Sequence, residues 1–109
     1  MQPVNLDEFK RLDIRVGKVV DAQDHPNADK LLVLRIDVGG GQVVQTVAGI
    51  KAFYPASSMI GRSVIVLCNL QPVTLRGVQS HGMILAASSE GRIVILVPEQ
   101  QLPPGSKVS

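Results

Sequence analysis

Between Leu31 and Val38 the side chains sort by turns into two phases: Leu32, Leu34, Ile36 and Val38 in one, Leu31, Val33, Arg35 and Asp37 in the other. A period of two places one phase on each face of a strand, whereas a helix would scatter both phases around its axis. Gly39, Gly40 and Gly41 stop the run, and Gln42 to Ala48 returns as a second β-rich segment, so the two are expected to pair as a hairpin. A lone hairpin is marginal in water and needs further strands to cover its apolar face. The chain supplies them. Ile14 to Ala22 is rich in β-branched residues, with Ile14, Val16, Lys18 and Val20 in one phase and Arg15, Gly17 and Val19 in the other, so neither phase is purely apolar. Ser63 to Leu70 is a nearly all-apolar fourth strand, Gly82 to Ala87 a fifth and Arg92 to Val97 a short sixth.

Two short helices interrupt the strands. Asn5 followed three residues later by Glu8 is a capping pattern, and Leu6, Phe9 and Leu12 then share a face expected to close the bottom of the core. Pro55 to Ile60, with proline at the entry and Gly61 at the exit, reads as one or two helical turns. Three strands, a short helix and two strands is the order of the OB-fold. The expected architecture is therefore all-β: a five-stranded Greek-key barrel with a short helix between strands three and four, an N-terminal helix and a C-terminal extension. No linker or low-complexity block divides the chain, so residues 1–109 are expected to form one domain. In an OB-fold the ligand face lies on strands two and three, between the loop after strand one and the loop before strand five. Here those loops are His25 to Lys30 and Gln71 to Ser80.

Composition narrows the chemistry. Cys68 is the one cysteine and His25 and His81 the only histidines, which leaves no disulfide and no zinc framework, and points to a reducing, cytoplasmic setting. Neither a metal nor a cofactor is expected. No apolar run approaches the roughly 20 residues that span a bilayer, so no membrane partner is expected either. No nucleophile elbow, Walker A segment or dinucleotide fingerprint is present, which argues against an enzyme. With Phe9, Phe53 and Tyr54 as the only rings, base stacking on an aromatic platform is disfavoured. Charge is uneven along the chain: residues 1–50 carry six basic and seven acidic side chains, residues 51–109 five and two. No carboxylate occurs between Asp37 and Glu90, while Lys51, Arg62, Arg76 and His81 do. A surface built from that stretch suits phosphates.

The two loops hold the candidate ligand groups. His25-Pro26-Asn27-Ala28-Asp29-Lys30 sets a lysine at the mouth of the second strand, and Pro26-Asn27 is an ordinary turn pair. The second loop gathers amide, hydroxyl, guanidinium and imidazole groups. Arg76 can fork onto phosphate, Ser80 and His81 can bond base edges, sugars or phosphate, and Met83 is either core or a flexible apolar contact.

With these residues in view, the chain resembles the tRNA-binding domain family found at the C-terminus of methionyl-tRNA synthetases and as free-standing proteins. The resemblance spans Leu6 to Val108. It rests on Leu12 to Val19, on His25 to Leu31, on Val47-Ala48-Gly49-Ile50, on Asn69-Leu70, on Arg76 to Ala87 and on Pro104 to Val108. It implies an OB-fold that recognises tRNA by shape without catalysis, commonly as a homodimer joined through the C-terminal extension, with a methionyl-tRNA synthetase as a possible partner. It also implies family binding positions at Lys30, Ser80 and Met83, to which the charge argument adds Arg35, Lys51, Arg76 and His81. Three residues depart from the family pattern: His81 replaces a usual glutamine, Thr74 a frequent lysine, and Lys51 is displaced by one place. Met1 and the complete family span suggest a free-standing protein. The alternative reading is a dimeric peptide-binding secretion chaperone of the same fold.

Overall fold

A computed structural model describes residues 1–109 and contains five antiparallel strands in the order β3-β2-β1-β4-β7, curled into a nearly closed barrel. β1 spans Ile14–Asp24, β2 Leu32–Asp37, β3 Val43–Ala48, β4 Ser63–Leu67 and β7 Met83–Ile84. Two hairpins stand outside the barrel sheet: β5 Val73–Leu75 with β6 Val78–Ser80, and β8 Ala86–Ser89 with β9 Arg92–Ile95. The expected barrel class holds, but two strand readings change. Gly82 to Ala87 is not one strand: Leu85 still donates its amide to Ile65 of β4 at 2.9 Å but gives its carbonyl to the Leu96 amide at 3.0 Å, and the chain passes there from β7 to β8. The expected second loop is itself a hairpin, turned by Arg76 and Gly77 at φ 52° and 88°. Two successive positive φ values are the geometry of a tight hairpin turn.

The alternation in β2 is fully realised: Leu32, Leu34 and Ile36 are inaccessible to solvent. The mixed pattern of β1 has a structural cause. Its first half, Ile14 to Lys18, pairs with β4, and its second half, from Lys18, pairs with β2. The inward phase changes where one half passes to the other, with Val16 and Gly17 both buried, and a bulge at Val20 shifts the register again. A Cβ on Gly17 would lie 2.6 Å from Cγ2 of Ile36, so the strand crosses the core there only as glycine.

The C-terminal segment covers the free edge of the first half of β1. Ser106 accepts from the Val16 amide at 2.8 Å, and Gly105 and Val108 donate to Val16 and Ile14 at 2.8 and 2.9 Å. Gly39, at φ 87°, lies directly against Gly105, where any side chain would meet backbone. At the other end, α1 (Leu6–Lys10) begins where expected, with Asn5 Oδ1 accepting from the Glu8 amide at 2.8 Å. Its expected packing role does not hold. Leu6, Phe9 and Leu12 stay 64%, 39% and 43% exposed, and the chain just after the helix is fixed instead by Asn69, whose side chain accepts from the Asp13 amide and donates to the Arg11 carbonyl. α2 (Ala56–Met59) buries Met59 in the core.

Candidate nucleic-acid interface

Barrel closure defines the site. β3 and β7 share no strand ladder, and the gap between them is bridged by three side-chain bonds and one backbone bond to the segment before β7. Ser80 Oγ accepts the Val47 amide at 2.9 Å, Thr46 Oγ1 donates to the His81 carbonyl at 2.7 Å, and Gln45 Nε2 donates to the Gln79 carbonyl at 2.9 Å. The His81 amide donates to the Gln45 carbonyl at 2.7 Å. Ser80 thus stands in for a missing backbone acceptor.

This corrects the picture of Ser80 as an open contact residue. It is 4% exposed and its oxygen is committed internally, while its hydroxyl hydrogen has no protein acceptor. Met83, by contrast, is 46% exposed. Two hollows meet at Met83 and Val47, one of about 440 Å³ running past Leu75 and Ser80, the other of about 260 Å³ running past Ile50 and Ile93. Together they form an apolar groove along the outer side of β3. Thr74 is exposed on β5, outside the residues that line it.

Cations from three segments gather near this groove. Lys30 and Arg76 line one hollow of about 430 Å³, and the Lys51 amide donates to the Lys30 carbonyl at 3.4 Å. Arg35 projects from the exposed face of β2, opposite Gln45 of β3, and His81 is half-buried at the closure seam. The seven expected residues therefore do not form one cluster: Lys30 and Arg76 share a hollow, Lys51 meets Lys30 through its backbone and turns its ammonium to Asp24, Met83 and Ser80 share the groove, His81 sits at the seam, and Arg35 stands on β2.

The acid-free segment does not become an acid-free surface. β1 and the loop after it deliver carboxylates beside the cations: Asp21 lies opposite Arg35, Asp29 lines the hollow with Lys30 and Arg76, and Asp24 holds Lys51 at 3.5 Å. Four cations face three carboxylates, so net attraction for phosphate is modest. At the start of β1 the Arg15 guanidinium, hydrogen-bonded at 2.8 and 2.9 Å, holds the Asp13 carboxyl below its usual range and is itself raised by it. Burial raises the Cys68 thiol, which suits an inert side chain.

Sequence reasoning missed His25, Gln45 and Thr46. His25 is buried, with Nε2 2.9 Å from the Leu75 carbonyl and Nδ1 accepting from the Asn27 amide at 2.9 Å. Asn27 Nδ2 reaches the Arg76 carbonyl at 3.4 Å. The Leu75 and Arg76 carbonyls lie about fifty residues away along the chain, and no local pattern announces them.

Known proteins resemble this chain over nearly its full length. It is 44% identical over 108 residues to the methionine–tRNA ligase of Pyrococcus furiosus, covering 99% of this chain and 15% of that protein. The corresponding enzyme of Methanocaldococcus jannaschii is 43% identical over 109 residues, covering 99% of this chain and 17% of that protein. The chain therefore spans only about one-seventh of the ligases it matches. Among solved structures, a MetRS related protein from Pyrococcus horikoshii superposes with a TM-score of 0.92 at 30% identity, covering all of both chains. The chaperone CsaA from Bacillus anthracis superposes with a TM-score of 0.90 at 31% identity, covering 99% and 100%. No helix is long and apolar enough to cross a membrane. The family described as "Putative tRNA binding domain" matches residues 14–107, nearly the whole barrel and the edge segment that seals it. The chain belongs to this tRNA-binding domain family.

Proposed function

We propose that the chain is a non-catalytic, structure-reading tRNA-binding module of the cytoplasm, acting as a homodimer and in association with a methionyl-tRNA synthetase. The observation that supports it best is that Lys30 and Arg76, from two separate loops, line one hollow, with Arg76 next in sequence to Leu75 of the groove that exposes Met83. Phosphates dock on Lys30, Lys51 and Arg76, Arg35 meets a neighbouring stretch of backbone, and Met83 supplies an apolar contact to an unstacked base. His81, half-buried at the seam, donates to sugar or base acceptors, while Ser80 holds that seam closed from within. Ligand recognition by shape follows from having few base-reading groups and no aromatic platform in the groove.

Filter binding of unfractionated tRNA across a salt series tests the reading. Binding is expected to weaken with salt at a log-log slope between about 1 and about 3, since each neutralised phosphate contributes roughly 0.7 to 0.9 and the neighbouring carboxylates offset part of the charge. Absence of both affinity and salt response contradicts it. The apolar lining of the groove and the similarity to a CsaA chaperone favour one second reading, a peptide-binding dimer. Binding of an extended apolar peptide that tRNA does not displace would select that alternative.

A further inference from the structure

We infer that His25 is a positioning residue for RNA binding: its neutral imidazole locks the β1–β2 loop, which carries Lys30, to the β5–β6 hairpin, which carries Arg76, and its protonation releases the lock. The functional consequence rests on the tRNA-binding reading, but the lock stands on geometry alone. Nδ1 accepts a backbone N–H, so it bears no hydrogen. Nε2 therefore bears the single ring hydrogen and donates it to the Leu75 carbonyl. The His25 amide is itself fixed to the Leu31 carbonyl at 3.0 Å, so the ring has a rigid base. Asn27, held by Nδ1, extends the link to the Arg76 carbonyl. One buried ring thus sets the spacing of two cations that share a hollow.

A second proton has one place to go, Nδ1, where it would confront the Asn27 N–H. Two opposed donors in a buried site lose their bond, and the loop must part from the ring. The charged groups on the surrounding elements are Asp24, Asp29 and Lys30 beside the ring in its own segment, Arg76 on the hairpin, and Lys51, which Asp24 engages. The expected direction is distinctive. Protein contacts to phosphate ordinarily strengthen as imidazoles gain charge, whereas a proton on His25 acts in the opposite sense.

The experiment measures tRNA affinity at constant ionic strength at about pH 7.5 and about pH 5.5, the interval in which imidazoles titrate. It compares His81→Gln with the double variant His81→Gln/His25→Ala, and records the nitrogen spectrum of the histidine rings and backbone of the unmodified protein. His81→Gln should lose about tenfold in affinity at the lower pH, the worth of one charge-assisted hydrogen bond. The double variant should be weak and flat. In the spectrum, Nδ1 of His25 should be bare at the higher pH, and its protonation should move the Asn27 and Arg76 amides together. A flat or tightening profile in His81→Gln overturns the inference, as does a hydrogen on Nδ1 at the higher pH. The spectrum needs no variant, so it decides the lock even if His25→Ala does not fold. Absence of tRNA binding by the unmodified protein sinks the RNA reading and leaves the spectral test of the lock intact.

Discussion

Replacing Ser80 by alanine separates a barrel-closing role from a purely ligand-contacting one. The hydroxyl oxygen is the acceptor for the Val47 amide at 2.9 Å in a site that is 4% exposed. Alanine leaves that N–H buried without a partner, which costs about 1–3 kcal/mol. Taking about 2 kcal/mol and a urea m-value of about 1.5 kcal/mol/M, the unfolding midpoint should fall by about 1.3 M. Met83→Ala is the contrast: the side chain is 46% exposed, so stability should stay within about 0.5 kcal/mol, while tRNA affinity falls about fivefold for the lost apolar contact. Thr46→Val removes the neighbouring bridge to the His81 carbonyl. Combined with Ser80→Ala in a double-mutant cycle, it should show a coupling of at least about 0.5 kcal/mol, because both bonds close one seam. The assay is urea unfolding followed by far-ultraviolet circular dichroism. A Ser80→Ala protein that binds tRNA poorly but unfolds at the unmodified midpoint would refute the reasoning.

Asp24→Asn frees Lys51 from a surface pair worth about 1 kcal/mol or less, so filter binding should show tRNA affinity rising about two- to fivefold, with a slightly steeper salt response. Gly82→Ala forces a side chain at φ 73° and sets its Cβ 2.7 Å from the Leu67 carbonyl oxygen, so thermal unfolding should drop by roughly 10 °C or more, from about 2 kcal/mol of strain. Asp13 carries a lowered pKa, so its bond to Arg15 stabilises the fold above the ordinary carboxylate range of about 4 and ceases to do so as pH falls through the lowered value. Because both side chains are about a third exposed, Asp13→Asn should cost less than about 1 kcal/mol at pH 7 and progressively less as the pH is lowered, read from urea midpoints along an acid series.

What the sequence makes legible follows how local each signal is. The β2 alternation and the glycine turn can be read directly, because one strand faces one core throughout. β1 resists the same reading because it serves two ladders and changes its inward phase between them. The β5–β6 hairpin escapes because its strands are three residues each and mostly exposed, which leaves no burial period, although Arg76-Gly77 marks its turn. α1 is recognised by its cap, yet its apolar face says nothing about whether space remains against the barrel.

At the site, Lys30 and Arg76 are legible as exposed residues, whereas Met83 is open between core and contact in the sequence and half-exposed in the structure. The carboxylates beside the cations are not, since Asp21, Asp24 and Asp29 are distant in sequence from Lys51 and Arg76 and are brought near only by strand register and loop docking. Ser80 shows the same limit from the other side. Its hydroxyl reads as a ligand donor until the missing β3–β7 ladder gives it a backbone amide to satisfy.

The most direct test of the account is a backbone amide map of the labelled protein titrated with tRNA. Resonances of residues 27–30, Lys51, Arg76, Gly77 and Met83 should shift together, with those of α1 and residues 102–108 unmoved apart from any change in self-association. Shifts confined to α1 or the C-terminal edge, or none at all under conditions where tRNA is retained on a filter, would contradict a docking surface at the Met83 groove.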